Sequence, residues 1–159
     1  MYLVHVSLML HFVGIGFLCT SLFGGFVLHR QYSRARDLNE KLGTLRALRA
    51  LGLFSPVGVI LMLLTGLGNM TLGAHRYSIL TDSWLSIKLV IVLCMILLGV
   101  LLGLQGTRRT RLVKSTQDRQ PTDDEQRRVS AIDTQLLVLY GVQTLLLLSV
   151  IMLSVIRPS

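Results

Sequence analysis

Hydrophobic and polar positions alternate along this chain in blocks rather than in short periods. Four apolar segments of about 20 residues or more, long enough to cross roughly 30 Å of hydrocarbon at the helical rise, run from Leu3 to Leu28, Leu53 to Ala74, Trp84 to Gln105 and Thr134 to Ile156. Between them lie two long polar stretches, 29–52 and 106–133, and one short one around "HRYSILTDS". The pattern predicts an all-α, integral membrane four-helix bundle formed by residues 1–159 as a single transmembrane domain. The short connection makes spans two and three antiparallel neighbours.

Within the first polar stretch the leucines at 38, 42, 45 and 48 recur at the three-to-four spacing of an amphipathic helix, which extends the second span toward the cytoplasm. Pro56 predicts a kink in that extension, because it lacks a backbone donor and crowds the preceding turn. In the second stretch "QPTDDEQ" places Thr122 three residues before Glu125, the arrangement of an N-terminal capping box. A helix is therefore expected to start there, ahead of the fourth apolar segment.

Composition agrees with the block pattern. Hydrophobic residues make up 52% of the chain, charged residues 15%, and the mean hydropathy is +0.63, too apolar for an ordinary soluble domain of this size. The net charge of +8 could suggest nucleic acid, but its placement argues otherwise. Of sixteen Lys and Arg, six lie between Arg30 and Arg49 and seven between Arg108 and Arg128. Positive charge collected on the loops of one side marks that side as cytoplasmic, so both termini are expected on the periplasmic or outer side of a bacterial inner membrane. These loops meet the lipid bilayer surface rather than nucleic acid. The first segment has no basic residues ahead of it and exceeds the length of a signal-peptide core, so it is expected to stay in place. Cys19 and Cys94 both fall inside apolar segments and are expected to be packing residues.

Polar groups inside a bilayer are costly and become the first functional candidates. His11 stands about eight residues into the first span, roughly 12 Å below its outer edge. Lys88 follows Trp84, an interfacial anchor, by four residues. Both belong to the outer half, with His5 and His75 near the same surface, whereas His29 sits at the cytoplasmic end of span one. His11 and His29 are five turns apart on one helix face, too distant to share a metal. Ser7, His11, Gly14, Leu18, Ser21 and Gly25 fill that face with mostly small groups, suited to close packing or to a flat cofactor. "GVLLG" at Gly99 and Gly103 is a second close-contact signal, and Asn69 and Gln143 are expected to form bonds between helices. No serine or cysteine nucleophile with a base and no phosphate loop is present, and no carboxylate lies within an apolar segment. His11 could ligate a haem or simply be hydrogen-bonded. Lys88 could snorkel to the headgroups or face the bundle. Copper handling by His5, Met9, His11 and His75 also stays open.

At these residues the chain resembles a known group. "LHFVGIGFLCTSLFGGFVLHR", "RALRALGLFSPVGVILMLLTGLG" and "DSWLSIKLVIVL" are similar to the bacterial four-helix membrane families around copper-resistance protein D and HemJ, the oxygen-independent protoporphyrinogen oxidase, over about the first 105 residues. In the HemJ-type pattern an early histidine in span one and a lysine after a tryptophan in span three are associated with haem b. His11 and Lys88 match those places. "FLCTSLFGG" replaces the aromatic run of HemJ, so protoporphyrinogen oxidation is not carried over. The resemblance implies a haem b or related redox cofactor served by His11 and Lys88, with His11 as metal ligand; His75 and His29 are kept beside them as further cofactor-binding candidates. The expectation is then a small redox membrane protein, a membrane oxidoreductase if it is an enzyme, working with quinone or a larger membrane electron-transfer complex. The class-distinct alternative is an accessory or assembly subunit.

Overall fold

The computed structural model describes residues 2–35, 37–72, 83–116, 119 and 122–155, without the side chains of 69–72 and 83–84. Five helices follow one another: α1 (Tyr2–Arg34), α2 (Leu38–Gly52), α3 (Phe54–Leu72), α4 (Ser83–Ser115) and α5 (Asp123–Val155). Four stretches are long and apolar enough to cross a membrane, because α2 and α3 run on from one another almost without interruption. The expected all-α, four-span architecture is thus present. Large apolar side chains on every spanning helix point outward, Leu64, Leu97 and Leu145 among them, as a lipid-facing surface requires.

The helices extend beyond the apolar runs. α1 continues to Arg34, α4 to Ser115, and α5 begins at Asp123, so much of 29–52 and 106–133 is helix rather than loop. Hydropathy marks where lipid stops, and a helix whose backbone bonds are internal can continue into water. At 33 residues each, α1, α4 and α5 are about 50 Å long against about 30 Å of hydrocarbon.

Local signals set the boundaries. The Asp37 carboxylate caps α2 by accepting from Glu40 N–H. At the start of α5 the Thr122 hydroxyl accepts from Glu125 N–H at 3.4 Å, while the Glu125 carboxylate accepts from Thr122 N–H at 3.0 Å, the reciprocal capping box read from the sequence. The break between α2 and α3 falls at Leu53, whose N–H donates to Ala50 C=O at 3.2 Å. Pro56 then sits in the first turn of α3, where a missing donor is tolerated.

α1 packs chiefly on α3 and α4 on α5, and the two pairs meet mainly along α1 and α5. Glycine decides the first pairing. A Cβ on Gly58 would stand 2.8 Å from Gly14 C=O, and one on Gly14 would stand 3.0 Å from Gly58 C=O, so the backbones touch where neither residue has a side chain. The buried face of α1 is Gly14, Leu18, Leu22, Gly25, His29 and Tyr32, close to the small-residue stripe expected. Gly103 differs from expectation: a Cβ there would meet nothing within 4 Å, because the residue borders a cavity instead of a neighbouring helix.

Candidate functional site

Two polar layers lie inside the bundle, both centred on histidines of α1. The outer one joins α1 and α3. His11 Nδ1 is 2.9 Å from Thr65 Oγ1, and Ser7 Oγ donates to Thr65 C=O at 3.3 Å. The Thr65 hydroxyl gives its proton to Leu61 C=O one turn back, so its oxygen is the acceptor toward histidine. The Nδ1 of His11 therefore carries the ring proton and Nε2 keeps a lone pair. The Met62 carbonyl adds a further acceptor beside the ring, and Lys88 of α4 lies within electrostatic reach of it. Gly66 leaves the ring room, since a Cβ there would stand 3.7 Å from His11 Cε1.

The inner layer is more deeply enclosed. His29, at 4% exposure, accepts at Nδ1 from Arg109 Nη1 at 3.0 Å. Guanidinium has no acceptor, so the proton of neutral His29 must sit on Nε2. The same Nη1 donates to Asp133 Oδ1 at 2.9 Å, with side-chain exposures of 4% for Arg109 and 21% for Asp133. The guanidinium also stacks over the Tyr32 ring, 4.5 Å from its centroid, a cation–π arrangement favoured by a desolvated site. Tyr140 rests on Gly25, where a Cβ would come within 2.8 Å of the phenol ring, and its ring centroid lies 6.2 Å from that of His29. Deeper still, Gln143 donates to Met95 C=O at 3.0 Å, which is the bond between helices expected of it.

The sequence candidates divide accordingly. His11 is held by Thr65 in the outer layer, and Lys88 lies within electrostatic reach of it. His29 lies in the inner layer with its lone pair engaged by Arg109, which removes it from the set able to ligate a metal in this arrangement. His75 and Asn69 fall outside the described residues or side chains, so no grouping with them is drawn. Met9 is 70% exposed on the opposite side of α1 from His11, two residues being 200° of helix; it does not join a nitrogen and sulfur site with that ring. Among the described residues, no three His, Cys, Asp or Glu converge on a common point.

Sequence reasoning missed Arg109 with Asp133. Arg109 was one charge among seven in a block whose asymmetry already had an explanation. Asp133 carried a usable signal, for it is a lone carboxylate at the head of an apolar run, in the same kind of position that singled out Lys88.

Comparison with family models gives a match to the family described as "Predicted integral membrane protein (DUF2269)" over residues 5–158. The chain belongs to the DUF2269 family. No curated protein and no solved structure matches it. Membership agrees with the four spans and makes this DUF2269 chain a multi-pass membrane protein embedded in lipid. The match is to DUF2269 and not to the copper-resistance D or HemJ families that the short motifs resemble, so those motifs alone carry that likeness.

Proposed function

We propose that this membrane protein holds a haem b or closely related redox cofactor in the outer half of the bundle. It would act as a small bacterial inner-membrane redox protein, passing electrons to or from quinone or a larger membrane complex. The observation that carries the reading is the 2.9 Å contact of His11 Nδ1 with Thr65 Oγ1. With Nδ1 donating to Thr65 Oγ1, the ring is oriented by its neighbour and offers Nε2, which is how a helix-borne axial ligand is ordinarily prepared. Lys88 within electrostatic reach supplies a cation for a carboxylate of the macrocycle. These residues fit the group in ligand type and charge. A haem bound there would supply one-electron chemistry; the chain's own part is to orient the imidazole, balance the carboxylates and exclude water.

The test is the absorption spectrum of protein purified after haem supplementation. A Soret band and a sharp reduced α band are expected. His11→Ala should abolish or shift them, and Lys88→Arg should diminish them, because arginine's planar fork needs a different space. His29→Ala should leave them unchanged. Absence of any chromophore in the wild type, or unaltered spectra in both outer-layer variants, would overturn the reading in favour of an accessory subunit.

A further inference from the structure

A second feature stands apart from the outer layer. A cavity of about 530 Å³ is lined chiefly by α2, α4 and α5, in the half of the bundle that carries the basic helix ends. Its polarity is graded along α4. Arg111 and Lys114 stand at one end, six to nine residues past the apolar run, and Arg49 lines the cavity from α2, all three exposed. Next comes buried Arg109, then a trough floored by Gly103 and Gly99, then Gln143 at the far end. From Gly99 to Lys114 is about 22 Å of helix, which reaches from hydrocarbon depth to headgroup level.

Two side chains on this wall are incompletely bonded. Arg109 Nε and Gln143 Oε1 are buried with no hydrogen-bond partner among the described residues, although Arg109 is 3% and Gln143 5% exposed. Buried polar atoms left in this state are costly, and the usual remedy is a bound molecule or water. Among the described residues the lining contains four cations and no carboxylate; Asp133 holds Arg109 from the other side, through Nη1. Nor does any ion pair among the described residues engage Arg49, Arg111 or Lys114.

We infer that this cavity binds a phosphate-bearing amphiphile of the inner leaflet, with its phosphate among Arg49, Arg109, Arg111 and Lys114 and its apolar portion along the glycine trough. Four cations lining one cavity with no carboxylate among them suit an anion such as phosphate, and the apolar continuation is what a lipid has and a free phosphate ester lacks. The glycines give the trough its width: Gly103 and Gly106 both border it, and a Cβ on either meets nothing within 4 Å. The site is distinct from a general attraction of the basic face for anionic lipid, because it depends on a shape that one uncharged residue can fill.

That dependence supplies the test. The full chain in neutral detergent is titrated calorimetrically with dihexanoyl phosphatidic acid, with glycerol 3-phosphate, which lacks the tails, and with dihexanoylglycerol, which lacks the phosphate. The whole lipid should bind about tenfold or more tightly than either half, since charge-assisted bonds and apolar burial each contribute. Gly103→Leu fills the trough without meeting protein atoms at its Cβ and suits a helix better than glycine, so the fold should persist by circular dichroism while lipid binding falls about tenfold. Replacing exposed Arg127 and Arg128, outside the cavity, by Gln should leave binding unchanged. Glycerol 3-phosphate binding as tightly as the lipid, with the same sensitivity to Gly103→Leu, would uphold the phosphate site and reject the lipid as its source. Lipid binding insensitive to Gly103→Leu, or lost equally on replacing Arg127 and Arg128, would overturn the inference.

Discussion

Removing Asp133 tests whether the inner layer stabilises the bundle through its ion pair or merely by filling space. Asp133→Asn keeps the volume and one accepting oxygen but deletes the charge, leaving Arg109, 4% exposed in its side chain, with no anionic partner there, only neutral acceptors and the Tyr32 face. Breaking a buried pair from one side costs about 3–5 kcal/mol because the remaining charge stays desolvated. Asp133 keeps a fifth of its surface, so the low end, about 3 kcal/mol, is expected. Replacing both partners, Arg109→Met with Asp133→Leu, removes the charge and the vacancy together and should return most of that loss, since an apolar pair of similar volume is often neutral. The assay is unfolding of the protein in dodecylmaltoside by added dodecyl sulfate, followed by far-ultraviolet circular dichroism for wild type, Arg109→Met, Asp133→Leu and the double variant. The cycle should show coupling of about 2–3 kcal/mol. Single losses that add to within about 0.5 kcal/mol, as for independent sites, would refute a stabilising pair and leave the contact as incidental geometry.

Gly58→Ala should loosen the pairing of α1 and α3 by about 1–3 kcal/mol, because its methyl meets the Gly14 carbonyl backbone at 2.8 Å and cannot be relieved by a rotamer change. Gly103→Ala, which meets nothing, should raise the thermal midpoint or leave it unchanged. At the start of α5, Glu125 has its carboxyl held below the usual range, first by the Thr122 backbone N–H and then by Arg119. Its contribution is therefore present above its unfolded value and lost as pH falls through the lower folded one. Amide protection in the first turn of α5, taken relative to the intrinsic exchange rate at the same pH, should fall as pH drops below the ordinary glutamate range in the wild type, while Glu125→Gln should already show the low protection at neutral pH. Reporters fused at Ser159 should read as external and those near Gln117 as internal; a cytoplasmic carboxyl terminus would reverse the orientation drawn from the basic loops.

Much of the scaffold was legible because membrane spans depend on length and polarity alone, quantities that need no partner. The amphipathic leucines of α2 and the Thr122 and Glu125 cap were equally readable, since each is local in sequence. Helix pairing was not. Gly14 stood in a stripe of small residues, but Gly58 is an isolated glycine after a proline, and their contact exists only once α1 and α3 are crossed. The continuation of α4 through Thr107, Thr110 and Arg111 was hidden for a different reason: a helix wetted on most sides has no apolar period to detect. In the outer layer the histidine drew notice and Thr65 did not, because a threonine in a span can satisfy itself against its own preceding turn. The pairing of Arg109 with Asp133 across 24 positions likewise required the fold before it had meaning.

The joint at Leu53 bears on the stiffness of the molecule. A continuous helix would bond the N–H of residue 56 to Gly52 C=O, and proline has none to give. That rung is therefore missing where α2 meets α3, with a glycine carbonyl at its accepting end. α2 furnishes Leu45, Leu48, Arg49 and Gly52 to one wall of the inner cavity, whereas the opposite walls belong to the uninterrupted rods α4 and α5. A change of angle at this joint would alter the width of the cavity without repacking α4 against α5. Compliance is thereby concentrated in the wall that carries Arg49, leaving the Arg109 and Asp133 pair on the rigid side.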